Sequence, residues 1–149
     1  IQFDVEGRRV LDLFAGTGQM GIECLSRGAA SAVFVDRRKD AAQLVKKNLA
    51  LTNLQDRARV VNGDSLAFLA GTRETFDLVF LDPPYASGLL EQALERLAAP
   101  GFDILAPYGI IVAEHPADRR LAVPAGCRLR KAYRYGKIAA TLFCRVGNE

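Results

Sequence analysis

Apolar and polar positions alternate between two rhythms along the 149-residue chain. Residues 9–14 (RVLDLF) form a short apolar run halted by glycines, which predicts a strand running into a tight turn. Residues 19–27 have helical spacing, with Met20, Cys24 and Leu25 on one side and Gly28 as the stop. Ser31–Asp36 (SAVFVD) predicts the second strand. Residues 39–52 predict a helix in which Ala42, Val45 and Leu49 line one face while Lys46 and Lys47 point away. Ala58–Asn62 reads as the third strand and 65–70 as a short helix. Residues 76–82 (FDLVFLD) read as the fourth strand, with a continuous apolar centre that predicts burial on both faces. A helix over 89–97 and a fifth strand over 109–114 follow, and 128–135 with 138–146 predict a closing antiparallel pair turned near Gly136.

Strands alternating with helices predict an α/β fold with a mostly parallel sheet covered on both faces. Right-handed crossovers place the loops that follow the strands along one edge, where ligands of such sheets bind. One domain over 1–149 is expected, with no linker, repeat or low-complexity segment.

Composition changes this picture little. Half of the residues are apolar and a quarter charged, as in ordinary globular chains. No apolar run approaches the roughly 18 residues of a membrane span, and Ile1 to Arg9 lacks the layout of a signal peptide. A start at Ile1 is expected of a chain from which upstream residues are missing. Cys24, Cys127 and Cys144 are far apart and form no ligand cluster with His115, so reduced thiols, a cytoplasmic location and no metal site are expected. His115 is expected at a strand end. The net charge is only +3, but Arg119, Arg120, Arg128, Arg130, Lys131, Arg134, Lys137 and Arg145 fall in a stretch without a single acid. A second basic group, Arg37, Arg38 and Lys39, follows the second strand. Either group could meet phosphates or be a solvated surface.

The chemistry falls at the predicted strand ends. Asp12-Leu13-Phe14-Ala15-Gly16-Thr17-Gly18 closes the first strand and opens a helix, and Gly16, Gly18 and Gly21 fit GxGxxG. Glycine lets a ligand approach the backbone, and the turn presents amides at a helix N-terminus. A dinucleotide pyrophosphate and the methionine and ribose parts of S-adenosylmethionine both suit such a loop. Asp12 suits the second, because a carboxylate attracts a cationic amino group and repels a pyrophosphate. Asp36 ends the second strand 20 positions after Gly16, where an acid can hold ribose hydroxyls. Asp64, beside Ser65 after the third strand, could accept from an adenine amino group. Helix N-capping is the plainer role for both Asp36 and Asp64.

Asp82-Pro83-Pro84-Tyr85 follows the fourth strand. Consecutive prolines fix φ and hold each preceding residue extended, so the Asp82 carboxylate and the Pro83 carbonyl become rigid acceptors. An exocyclic NH₂ offers two hydrogens to match them, and Tyr85 could stack on the base. Such an amine is inaccessible in a duplex, so the substrate is expected to be single-stranded, looped or flipped out.

LDLFAGTG, VD, NGD and LDPPY at successive strand ends resemble the class I, Rossmann-like amino-methyltransferases. The longer block LFAGTGQMGIECLSRGAASAVFVD, with NGDSLAFL, VFLDPPY, GLLEQAL and the late Tyr135-Gly136, resembles the RsmD family of bacterial 16S ribosomal RNA (guanine-N2)-methyltransferases. The resemblance implies a seven-stranded sheet in the order 3-2-1-4-5-7-6 with strand seven antiparallel. It implies S-adenosylmethionine as cofactor. Asp12, Phe14, Ala15, Gly16, Thr17 and Gly18 would hold its methionine part, Asp36 and Arg37 its ribose, and Asp64 and Ser65 its adenine. Asp82, Pro83, Pro84 and Tyr85 would hold the target amine beside it. The implied partner is 16S RNA in an assembling small subunit, met by a monomer without a membrane. Members of the family ordinarily begin with a basic glycine- and arginine-rich segment and an Arg-Pro-Thr stretch, thought to grip RNA, which this chain lacks. Three rival readings stay open: adenine-N6 methylation of DNA or another RNA, an NAD-linked oxidoreductase built on GxGxxG, and a non-catalytic RNA-binding factor.

Overall fold

In the computed structural model, which describes residues 3–84 and 88–146, the two rhythms become seven strands and four helices. In chain order these are β1 (Arg9–Leu13), α1 (Gln19–Ser26), β2 (Ser31–Asp36), α2 (Lys39–Leu51), β3 (Ala58–Asn62), α3 (Ser65–Gly71), β4 (Phe76–Leu81), α4 (Leu89–Ala98), β5 (Leu105–Pro116), β6 (Cys127–Tyr135) and β7 (Ile138–Arg145). The strands form one sheet in the order β3-β2-β1-β4-β5-β7-β6, as the resemblance implied. The first five strands are mutually parallel, and β7 runs antiparallel to both of its neighbours.

Side chains alternate across the strands, so each strand feeds two apolar layers. On one face Leu11, Leu13, Val33, Val35, Val79 and Ile111 pack under Leu69 of α3 and Leu90, Ala93, Leu94 and Leu97 of α4. On the other, Val10, Ala32, Phe34, Leu78 and Ile110 pack under Cys24 and Leu25 of α1 and Val45 and Leu49 of α2. Val5 and Phe3 extend this second layer. β4 contributes to both layers, which is why its centre is apolar without interruption.

Two local expectations change. Met20 is 39% exposed, and α1 buries Gly21 with Cys24 and Leu25 instead, because a side chain at 21 would collide with the Phe34 ring. β5 begins at Leu105, four residues before the expected start. Leu105 pairs with Phe76, the chain bulges, and regular pairing resumes at Ile110 opposite Leu78. Pro107-Tyr108-Gly109 forms this bulge, with Tyr108 at φ 62°. Gln55–Arg57 forms a 3-10 turn ahead of β3. His115 is buried near the end of β5. Its Nδ1–H donates to the Pro116 carbonyl (2.9 Å), and Nε2 accepts from the Thr141 hydroxyl (2.7 Å). A carbonyl can only accept, which fixes that tautomer. Cys24, Cys127 and Cys144 are free thiols. No helix among the described residues is long and apolar enough to cross a membrane.

A Cβ at Gly21 would stand 2.7 Å from Cζ of Phe34 and 3.3 Å from Oδ2 of Asp12. Gly21→Ala is therefore expected to cost about 1–3 kcal/mol by overpacking. Urea unfolding should show a lower midpoint with an unchanged slope.

Candidate functional site

Four strand ends converge on a cavity of about 530 Å³, within the usual range for small-molecule sites. Its first wall comes from the turn between β1 and α1. Phe14, Gly16 and Gly18 all have positive φ, at 65°, 58° and 79°. The turn is pinned from several sides. The Ala15 amide donates to the Val35 carbonyl (2.9 Å), that of Gly18 to the Ala15 carbonyl (2.8 Å), and Asn48 Nδ2 to the Thr17 carbonyl (3.1 Å). Gly18 begins α1 without a side-chain cap. Nothing lies within 4 Å of where a Cβ of Gly16 would stand, so this stretch of backbone is open to a ligand.

The acids that end the first three strands each hold a backbone amide. Asp12 lies beneath the turn, 4% exposed, and Oδ2 accepts from the Gly21 amide at 3.0 Å. It thereby supplies, from β1, the acceptor for the third amide of α1 that a capping side chain would otherwise supply. Asp36 uses both oxygens: Oδ2 accepts from the Gly16 amide (2.8 Å) and Oδ1 from that of Arg38 (2.9 Å). Asp64 caps α3, accepting from the Ala67 amide at 2.9 Å. The plainer roles are thus filled. Asp36 and Asp64 nonetheless also face the cavity, together with Phe14, Arg37 and the buried Ser65. The lining does not include Asp12, Ala15, Gly16, Thr17 or Gly18. Asp12 is drawn inward by its bond to Gly21.

Opposite these acids the cavity is closed by Asp82, Pro83 and Pro84. β4 delivers them directly, because Leu81 is its last paired residue, beside Ala113 of β5. Tyr85 lies outside the described residues. Desolvation by burial raises the Asp82 carboxyl above the ordinary carboxylate range. Glu114, the residue after Ala113, is raised as well, by its own desolvation and then by the charge of Asp82. It has no ion-pair partner among the described residues. Sequence reasoning missed Glu114, Arg38 and Leu89, of which the last two line the cavity. Arg38 was visible as part of the basic group after β2. Glu114 could have been found only from the strand register, which places it next to Asp82.

The carbon skeleton around this cavity belongs to a known group of proteins. Residues 1–144 match the family described as conserved hypothetical protein 95, and the chain belongs to that family. It is 38% identical over 136 residues to ribosomal RNA small subunit methyltransferase D of Escherichia coli, covering 91% of this chain and 67% of the relative. The Haemophilus influenzae protein of the same name is also 38% identical, covering 89% of this chain and 69% of the relative. The chain thus spans about two thirds of the length of these relatives. Among solved structures, the E. coli protein yhhF, described as a candidate methyltransferase, superposes with a TM-score of 0.89 at 34% identity, covering 97% of this chain and 79% of its own.

Burial raises the Asp12 carboxyl from 3.8 to about 7, offset in part by the Gly21 amide and reinforced by Asp82 and Asp36. The folded chain therefore holds this proton more tightly than the unfolded chain does. Stability should fall as pH rises from about 4 to about 7 and level off above that. Urea midpoints across this range should show that slope in the wild type and lose it in Asp12→Asn.

Proposed function

We propose that this chain transfers a methyl group from S-adenosylmethionine to the exocyclic N2 of a guanine in 16S ribosomal RNA. Its setting is an assembling small subunit in the bacterial cytoplasm, where it acts as a single-domain monomer. The observation that carries this reading is the placement of Asp82, Pro83 and Pro84 in the wall of the cavity that Phe14, Asp36, Asp64 and Ser65 line on the other side. The small-subunit methyltransferase names of its relatives agree with it.

The residues present fit the cofactor. Asp36 would hold the ribose hydroxyls, and the Asp64–Ser65 corner would read the adenine edge. The uncapped start of α1 and the open backbone at Gly16 leave room for the amino-acid end. Asp12 acts on that end from below, as buried negative charge once its proton is lost. Bound, S-adenosylmethionine supplies a methyl group on a positively charged sulfur.

The protein's own task is to aim the amine. In guanine the N2 lone pair is delocalised into the ring and attacks poorly. Two acceptors, the Asp82 carboxylate and the Pro83 carbonyl, engage its two hydrogens and favour a pyramidal nitrogen whose lone pair points at the methyl. As N2 took the methyl group and the donor left as S-adenosylhomocysteine, positive charge would build on N2 beside Asp82, which would take or relay the departing proton. The raised affinity of Asp82 for protons suits that role. Most of the rate comes from positioning two bound partners in line.

Glu114, outside the cavity lining but beside Asp82, adds negative charge behind that wall. Guanine carries an N1–H next to its N2 amine, whereas adenine presents a lone pair at N1, so this charge favours guanine over adenine.

Asp82→Ala is expected to lower turnover at least about a hundred-fold, as loss of a transition-state acceptor does. Binding of S-adenosylhomocysteine by calorimetry should change little. Wild-type turnover in that variant is incompatible with this mechanism. Mass spectrometry of nucleosides from 16S RNA treated with the protein should show N2-methylguanosine. N6-methyladenosine alone, or tight binding of NADH in place of S-adenosylhomocysteine, points to the corresponding rival reading.

A further inference from the structure

The α1/α2 face of the sheet is covered unevenly. α1 and α2 pack over the half that holds β1, β2 and β3, while helix contacts with β7 and β6 are slight among the described residues. Along the last turn of the strands this leaves a strip that begins at the catalytic wall. Leu81 pairs with Ala113, and Glu114 pairs with Ala140, which pairs in turn with Tyr133. One step closer to the loops, Pro116 pairs with Ile138 and Ile138 with Tyr135. A path from Asp82 therefore crosses Glu114 and the small Ala140 to reach a pair of tyrosines. β4 and β6 are three strand spacings apart, about 14 Å, a distance that a few nucleotides of single-stranded RNA bridge.

The far end of the strip has the makings of a nucleotide platform. The Tyr133 and Tyr135 rings are nearly parallel, 12° apart in plane with centroids at 6.5 Å, and Tyr135 is 69% exposed. Lys131 extends its ammonium over the Tyr133 ring (4.8 Å), and the Arg130 guanidinium lies 5.8 Å from the Phe3 centroid. No acid occurs between Arg119 and Arg145. Charge on an edge strand also guards against pairing with other chains. That accounts for the lysines and arginines, but not for an exposed Tyr135 ring stacked beside a half-buried Tyr133 at the same edge as Asp82.

We propose that this strip is the track for the RNA strand flanking the target base, with Tyr135 and Tyr133 stacking on an unpaired neighbouring base and Arg130 and Lys131 meeting its phosphates. The track rests on the methyltransferase reading of the cavity and adds to it a second, sequence-tolerant grip at a fixed distance from the flipped guanine. Stacking needs only a π-face, so the platform orients the strand, and base choice stays with the cavity.

The test measures binding of a fluorescently labelled single-stranded RNA oligonucleotide by anisotropy with S-adenosylhomocysteine present, alongside methyl transfer to 16S RNA. Tyr135→Ala should weaken RNA binding and raise KM for RNA about ten-fold, with kcat and S-adenosylhomocysteine affinity unchanged, while Tyr135→Phe should bind as the wild type does. Arg130→Gln with Lys131→Gln should flatten the slope of log affinity against log salt by about 0.7 for each phosphate that is no longer neutralised. RNA affinity and salt slope unchanged in both variants overturn the track. So does a Tyr135→Ala chain whose only change is its oligomeric state in sedimentation, which assigns the face to protein contact. The binding arm needs no turnover, so a wild-type chain that binds the oligonucleotide but methylates no RNA counts against the proposed function and leaves the track to be judged on binding alone.

Discussion

The site depends on one buried hydrogen bond, from the amide of Gly21 to the carboxylate of Asp12. It ties the first helix to the first strand beneath the turn that connects them. The turn itself cannot satisfy the helix start, since Gly18 offers no side chain there. Supplying the acceptor from below leaves the upper surface of the turn free. That arrangement requires a residue without a side chain at 21, so that helix and strand come close enough, and the Phe34 ring fills the space left over. A capped helix would have been easier to build, but its cap would cover that surface with a side chain.

The same economy runs through the other strand ends. Asp36 binds the amides of Gly16 and Arg38, and so joins the ends of β1 and β2. Asp64 binds its own helix. Each acid is part of the scaffold before it is part of a site, and a carboxylate has lone pairs enough for both duties. A cavity walled by such residues is already in shape before anything enters, which lowers the ordering cost of binding.

Much of this was legible in the residues. The strand-helix alternation and the meeting of Asp36, Asp64 and Asp82 at one edge follow from patterns and motifs that local geometry enforces, while the sheet order was implied by the family resemblance. What was not legible depended on contacts between distant residues. Met20 looks like a core residue by spacing, yet the approach of Phe34 turns that face of α1 towards Gly21. The bulge at Pro107-Tyr108-Gly109 depends on pairing with β4 on either side. The bond from the Gly21 amide to Asp12 lies beyond what a linear motif reveals. Glu114 carries no motif at all, and only the register beside β4 brings it to Asp82.

Phe14 stands in the left-handed region at φ 65°, a conformation that costs a residue with a side chain about 1 kcal/mol or more. Glycine, the residue suited to that geometry, stands two positions later. Keeping a ring here means that part of the folding free energy is held as tension in the cavity wall. Evolution towards a sturdier protein would find this position an easy gain and would lose an aromatic surface of the cavity in making it. Thermal hardiness and the shape of the cavity therefore pull this one backbone angle in opposite directions.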